Sequence, residues 1–381
     1  MKIFIFHAEA GYGHKKAAEI IGKSLIEHGS APQDIIIQDA LDYAPGNNKQ
    51  LYLAFYYYCV KLFPKLWGWL YETSDQPLVY QFTKPVRVLY NHILGRKLVT
   101  KLSQEKPDVI ISTHFFSAEV AARTKRKGKI DSKLITVITD FMPHTLWINE
   151  GTDTYWVMHE ETKQEMIKRG IEDHRIIAGG IPVDPIFKPQ KRRSEILKQY
   201  GFSDHKKTLL ITSGSFGIGA YHETLQILES LSEKIQCFVV CGNNQAAYKN
   251  LEQKKFQFPV KVFGFVNFMA DLMEASDLMI AKSGGLTSVE SLAKGIPMVI
   301  TQPIPGQETR NADFLRHHEA SFFIQFPAQI KIIIQNILGH PHLLEAKKEA
   351  IRRLAKPDAA RDLAYFIAKI GASPSHESSL G

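Results

Sequence analysis

Short apolar runs recur along the chain, each followed by a longer stretch of helical periodicity. KIFIF (2–6), DIIIQD (34–39), DVIIST (108–113), LITVITD (134–140), TYWVMH (154–159) and RIIAGG (175–180) form a first set. A proline-punctuated basic segment, GIPVDPIFKPQKRR (180–193), follows and reads as a linker. The pattern then restarts with KTLLITSG (207–214), IQCFVVCG (235–242), VKVFGF (260–265), DLMIAKSG (277–284), PMVITQP (297–303) and SFFIQF (321–326). Nearly continuous apolar runs separated by helix-sized segments predict parallel strands covered on both faces. The expected class is therefore α/β, with two doubly wound Rossmann-like domains and a cleft at the carboxyl ends of their strands. The first domain is expected over 1–185 and the second over 186–355. Residues 356–370 read as a helix packing back on the first domain, and GASPSHESSLG (371–381) as a disordered tail.

An insertion over 47–95 breaks this rhythm. Its central part, LYLAFYYYCVKLFPKLWGWLYETSDQPLVYQFTKPVRVLY (51–90), is rich in aromatic and aliphatic residues and carries Lys61, Lys65, Lys84 and Arg87. A membrane-spanning helix is disfavoured: a lysine at mid-bilayer costs about 2.5–3.5 kcal/mol, and Pro64 lies between Lys61 and Lys65. An interfacial segment fits better, with Tyr57, Trp67 and Trp69 entering the headgroup boundary and Lys61 and Lys65 meeting anionic lipid. The bland alternative is a helical layer packed on the first domain.

Length and charge refine the picture. A chain of 381 residues allows two domains of ordinary size. A net charge of +8 and a pI near 9.1 suit an anionic partner, either a nucleotide or an acidic lipid surface. Nucleic acid is not expected, because the basic residues are scattered and no RNA-binding signature accompanies the aromatics. Of three cysteines, Cys237 and Cys241 fall on one face of a strand and read as core thiols, consistent with a reducing cytoplasm. The run IFIF is too short for the apolar region of a signal peptide.

Two loops carry candidate chemistry. In HAEAGYGHKKAAEII (7–21) a strand gives way to a helix through Gly11 and Gly13. The dinucleotide fingerprint would need Gly or Ala where Lys16 stands, and no P-loop occurs in the chain, so this loop presents His14 instead. In AKSGGLTSVESLAKGIPMVITQPIPGQETRNADF (281–314) a strand ends in Ser283-Gly284-Gly285 and a helix begins near Leu286. Small residues there let a diphosphate approach main-chain N–H groups at a helix N-terminus. Glu290, one turn on, suits ribose hydroxyls; Gln307 and Glu308 suit those of a sugar.

These stretches resemble glycosyltransferase family 28, and most closely the bacterial processive diacylglycerol glucosyltransferases and monogalactosyldiacylglycerol synthases. The resemblance extends over GYGHKKAA, VITDFMPHTLWI (137–148), GGIPVDPIF (179–187), GGLTSVESLAKGIPM and PIPGQETRNADF. It implies a GT-B fold, with Ser283, Gly284, Gly285 and Thr287 around a diphosphate, Glu290 on ribose, and Gln307 and Glu308 on a hexose. Gly214 and Ser215, within SGSFGIG (213–219), would line the phosphates, and Phe265 and Val266 would face uracil with main-chain groups. The first loop departs from the family in reading Ala10-Gly11-Tyr12-Gly13, and KSGG replaces the commoner KPGG.

In that setting His14 is the expected base for an acceptor hydroxyl, since neutral imidazole titrates near neutrality. Asp140 is expected to orient it, to bind the acceptor or to act as the base itself. His144 and Trp147 are candidate acceptor contacts. The chain lacks an Asp-x-Asp motif, so neither a metal nor another cofactor is expected beyond the UDP-sugar; loop amides, the helix N-terminus and Lys282 would stabilise the departing UDP. The implied function is an inverting transfer of a hexose from UDP to diacylglycerol, or to glycosyl-diacylglycerol in onward rounds, by a cytoplasmic enzyme held peripherally on the inner face of the cell membrane. The alternatives are a family 28 N-acetylglucosaminyltransferase acting on a lipid-linked acceptor, a hydrolysing sugar-nucleotide epimerase, and a non-catalytic UDP-sugar sensor at the membrane.

Overall fold

The structure is a computed structural model that describes residues 1–372 apart from 10, 215, 216 and 218. Two compact units divide the chain: Met1–Val183 together with the chain from Asp358, and Asp184–Pro357.

The first unit is built on a parallel sheet of β1 (Ile3–His7), β2 (Ile35–Asp39), β3 (Val109–Ser112), β4 (Lys133–Val137), β5 (Thr154–Trp156) and β6 (Ile176–Ile177), in the order β2-β1-β3-β4-β5-β6. Its helices are α1 (Tyr12–Glu27), α2 (Asn48–Leu62), α3 (Pro64–Ser74), α4 (Pro77–Leu94), α5 (Arg96–Glu105), α6 (Phe115–Arg126) and α7 (Glu160–Lys168). The second unit repeats the plan with β7 (Lys207–Thr212), β8 (Ile235–Val240), β9 (Val260–Phe263), β10 (Leu278–Ala281), β11 (Met298–Ile300) and β12 (Ser321–Phe323), ordered β12-β11-β10-β7-β8-β9. Around it lie α8 (Arg193–Gln199), α9 (Tyr221–Leu228), α10 (Gln245–Glu252), α11 (Met269–Glu274), α12 (Gly285–Lys294), α13 (Gln307–His317), α14 (Gln329–Gly339) and α15 (His342–Leu354). The last helix, α16 (Ala359–Ala372), belongs to the first unit.

Strand periodicity explains how β1 serves two cores. Phe4 and Phe6 pack with Leu98 and Leu102 of α5 and Phe116 and Val120 of α6. Ile3 and Ile5 point the other way, onto Ile21 and Leu25 of α1 and Leu363 and Ile367 of α16. In the second unit Cys237 and Cys241 lie in the apolar cluster under α9 and α14, and burial pushes the Cys241 thiol up to about 11.

All twelve apolar runs hold a strand, with shorter bounds than the runs themselves. The strand of LITVITD ends at Val137, and Thr139 and Asp140 lie in the loop that follows. The last helix reaches Ala372, so a disordered tail cannot begin at 371; the remainder of that expectation lies outside the described residues. The 47–95 insertion forms α2, α3 and α4. Among the described residues no helix is long and apolar enough to cross a membrane.

Candidate active site

In an open parallel sheet, ligands bind beyond the carboxyl ends of the strands where the winding reverses. Each unit has one such point: between β1 and β3 in the first, and between β7 and β10 in the second. The loop before His14 leaves β1, and Ser283 follows β10. Both candidate loops therefore sit at the position that the topology marks.

His14 lies in the first turn of α1, half-buried. Its Nδ1 is 2.8 Å from the Thr113 main-chain oxygen and 2.9 Å from Thr139 Oγ1. A carbonyl can only accept, so Nδ1 carries the proton and Nε2 keeps the lone pair. The Thr113 hydroxyl donates back to the His14 main-chain oxygen at 2.9 Å, tying the end of β3 to α1 on either side of the ring. Burial lowers the His14 pKa below the ordinary imidazole value, while the Asp140 charge and the Thr113 carbonyl partly oppose this. The ring is consequently neutral at pH 7, the form in which it can accept a proton.

His114 stands edge-on to His14 with centroids 4.8 Å apart. Its Nδ1 accepts from the Phe116 N–H at 3.2 Å and caps α6, while burial, then the His14 and His7 charges, hold its pKa well down. Asp140 is buried and accepts from the Trp147 indole N–H at 3.3 Å.

The two candidate acceptor contacts lie inside the first unit. His144 is 1% exposed and Trp147 2% exposed, so neither touches a lipid in this conformation. Both are committed internally: His144 Nδ1 accepts from the Leu146 N–H, and its Nε2 donates to the Tyr71 carbonyl at 3.0 Å.

In the second unit, α12 has Gly284 at its N-cap and no side-chain cap, which leaves its first N–H groups facing the end of β10. The other end is fixed by Lys294, which is buried against Glu274 at 2.9 Å and donates to the Lys188 carbonyl at 2.9 Å. Gly285 and Thr287 are half-buried in the first turn and Glu290 lies about a turn on, also half-buried. The Ser283 side chain is fully buried, and its hydroxyl donates to the Glu308 main-chain oxygen at 2.6 Å. Ser283 joins the loop to α13, helped by Asn311 Nδ2 on the Ser283 carbonyl at 3.0 Å. Gly306 enters α13 at φ 93°, a conformation that favours glycine, and places Gln307 and Glu308 in its first turn. One Glu308 oxygen accepts from the Ile304 N–H at 2.7 Å, and a Cβ on Gly284 would lie 3.5 Å from the other. Lys282 lies close by: burial lowers its pKa and the Glu308 charge partly restores it. Gly214 follows β7 at φ 68°, and Phe265 (exposed) and Val266 (half-buried) follow β9. Ser215 lies outside the described residues. Three strand spacings separate β9 from β10, about 14 Å, a span that an extended nucleoside diphosphate can bridge.

The insertion is fastened by polar contacts and turns its apolar side out. Fourteen of the 23 exposed large hydrophobic residues among the described residues lie between Leu51 and Ile93. Leu78, Phe82, Val86, Leu89 and Ile93 make one stripe along α4, with Phe82 81% exposed. On the opposite side Arg87 pairs with Glu119 of α6 at 3.3 Å, so it belongs to the scaffold and not to a headgroup-facing set. Trp69 is 61% exposed, whereas Trp67 turns in, edge-on to Tyr56 at 5.3 Å. Lys61 and Lys65 are exposed, and Lys61 lies over the half-buried ring of Tyr57 at 5.2 Å.

Sequence comparisons agree with this layout. The family model of monogalactosyldiacylglycerol synthase matches residues 14–183, and that of the glycosyltransferase family 28 C-terminal domain matches 208–363. A processive diacylglycerol β-glucosyltransferase of Bacillus pumilus (strain SAFR-032) is 33% identical over 264 residues, covering 68% of this chain and 68% of the relative. The chain belongs to glycosyltransferase family 28, in the branch of the diacylglycerol glucosyltransferases. A relative of the same name from Bacillus cereus (strain B4264) is 28% identical over 98% of this chain and 95% of its own. The crystal structure of Acinetobacter baumannii MurG, 16% identical, matches with a TM-score of 0.61 over 97% of this chain and 99% of that one. The fold is GT-B.

Several residues around His14 carry no motif of their own. Thr113 and His114 end an ordinary apolar run, and only the pairing of β3 with β1 brings them to His14. Thr139 is equally silent in the sequence.

Proposed function

We propose that this family 28 enzyme transfers glucose from UDP-glucose to the hydroxyl of diacylglycerol, with inversion, and repeats the transfer on its own glycosylated product. The names of its relatives support the sugar and the acceptor. The observation that carries the mechanism is the Nδ1 of His14 held on the Thr113 carbonyl, which leaves Nε2 as the lone pair for the acceptor proton. As the hydroxyl oxygen attacks the anomeric carbon from behind, Nε2 takes its proton and the bond to UDP breaks. Asp140 favours the imidazolium that forms, by charge. The uncapped N-terminus of α12, with Lys282 beside it, stabilises charge developing on the diphosphate. Glu290 on ribose and Gln307 and Glu308 on the hexose complete the donor site.

The outward apolar stripe of α4, with Trp69, Lys61 and Lys65, supports a peripheral seat on the anionic inner face of the cell membrane, where the acceptor lipid lies. The test is incubation of the purified protein with UDP-glucose or UDP-galactose and diacylglycerol vesicles, with and without EDTA, followed by lipid mass analysis. The expected product is glucosyl- and diglucosyl-diacylglycerol from UDP-glucose, undiminished by EDTA. Absence of glycolipid, or activity that EDTA removes and Mn²⁺ restores, contradicts the proposal.

A further inference from the structure

One buried joint fastens the helical insertion to the loop that carries Asp140. Asp75 sits in the turn between α3 and α4 with its side chain 8% exposed. Arg169, just beyond α7, donates to both carboxylate oxygens, Nη1 to Oδ1 at 2.8 Å and Nη2 to Oδ2 at 3.2 Å. The Thr145 N–H donates to Oδ1 at 2.7 Å, and the Thr145 hydroxyl donates to the same oxygen. Beside them His144 bridges to the Tyr71 carbonyl and stands 3.3 Å from Ser74 Oγ. The end of α3 is thereby locked to the short turn Thr145–Trp147. That turn closes on Trp147, whose indole N–H reaches Asp140.

Burial by itself would raise the Asp75 pKa. The Arg169 fork and the Thr145 donors outweigh burial and keep the carboxyl ionised far below the usual carboxylate range. A buried ion pair contributes little net stability compared with an apolar contact of the same size, but a bidentate fork fixes position and angle. The other attachments lead elsewhere: Lys49 binds Glu9 at 3.0 Å and Asp39 at 2.8 Å, and Arg87 binds Glu119 of α6.

We propose that Asp75 is a positioning residue: through Arg169 and Thr145 it holds the lipid-facing insertion in register with the loop from Asp140 to Trp147, so that an acceptor hydroxyl arriving along the insertion meets His14 Nε2. This rests on the glycolipid-forming reaction above. Loss of the joint lets the insertion and the loop move independently, and a displacement of about 1 Å can cost up to roughly 100-fold in rate.

The test compares wild type with D75N, R169K, W147F and D75N/W147F, all full-length, on vesicles of dioleoylglycerol in phosphatidylcholine and phosphatidylglycerol. D75N is expected to retain UDP affinity and vesicle binding within about twofold while kcat falls about 10- to 100-fold. R169K, which keeps the charge and loses the fork, should fall between. If the joint acts through Trp147, the double variant is no slower than the slower single variant. Amide hydrogen exchange at 141–147 should quicken in vesicle-bound D75N, with no change at 283–294. An unchanged kcat, a loss explained by weaker UDP binding or by unfolded protein, or unaltered exchange at 141–147 overturns the proposal. If wild type forms no glycolipid, the reaction assigned above fails, while the exchange measurement still decides whether Asp75 holds the loop.

Discussion

At the scale of single residues, the proposed mechanism rests on the tautomer and charge of one imidazole, His14. Because burial lowers the His14 pKa, the acid limb of kcat/KM is expected to have its midpoint below the ordinary imidazole value of 6.5. Asp140 acts to raise that pKa, so D140N should move the limb further toward acid as well as lower the rate; a shift toward alkali would contradict the role given to Asp140. The Gly-rich loop before His14 was legible because glycines and a histidine after a buried strand are unusual in any sequence. Thr113 was not, since a main-chain carbonyl can be supplied by any residue type and only strand order identifies it. The burial of His144 and Trp147 was not legible either: a polar or aromatic side chain after Asp140 reads as a candidate substrate contact, and only the fold shows its internal bonds.

At the scale of elements, most of the strands were readable because burial on both faces leaves no polar alternation to confuse them, while the edge strands β2 and β9 are only half-buried. The insertion was readable as apolar and basic, but which side faces the body was not. Helical spacing places the stripe Leu78, Phe82, Val86 on one face without saying that the face is outward. Replacing these three by serine is expected to reduce sedimentation with anionic vesicles at least about tenfold while leaving UDP affinity unchanged. Each side chain removed forfeits roughly 1.5–3 kcal/mol of apolar burial in the interface. Retained vesicle binding would show that another surface meets the membrane. The joint of α4 and α5 is tested by G95A. A Cβ there would lie 2.7 Å from Val120 Cγ2 and 2.8 Å from the Asn91 carbonyl, so α4 must move off α6. The expected cost is about 1–3 kcal/mol, read as a lower urea midpoint.

At the scale of the whole molecule, the chain is two doubly wound units, and buried histidines of the first should give it a pH response. His7, His14 and His114 all lie at the carboxyl end of the first sheet with pKa values lowered chiefly by burial. Their unfolded forms take up protons near pH 6.5, which the folded unit resists, so stability is full above that pH and declines as pH falls through it. Calorimetry between pH 7.5 and 5 should show the decline, and H114N, which keeps an acceptor for the Phe116 N–H, should flatten it; an equal slope in both proteins would contradict the assignment. In the second unit the readable feature was a helix N-terminus behind small residues, a pattern suited to anion binding. The central claim is that His14 acts in the chemical step and not in donor binding. The measurement that tests it most directly is kcat and UDP affinity for H14A on diacylglycerol vesicles. The expected result is a loss of about 10²- to 10⁴-fold in kcat with UDP affinity unchanged. Turnover close to wild type, or a loss of UDP affinity matching the loss of rate, would contradict it.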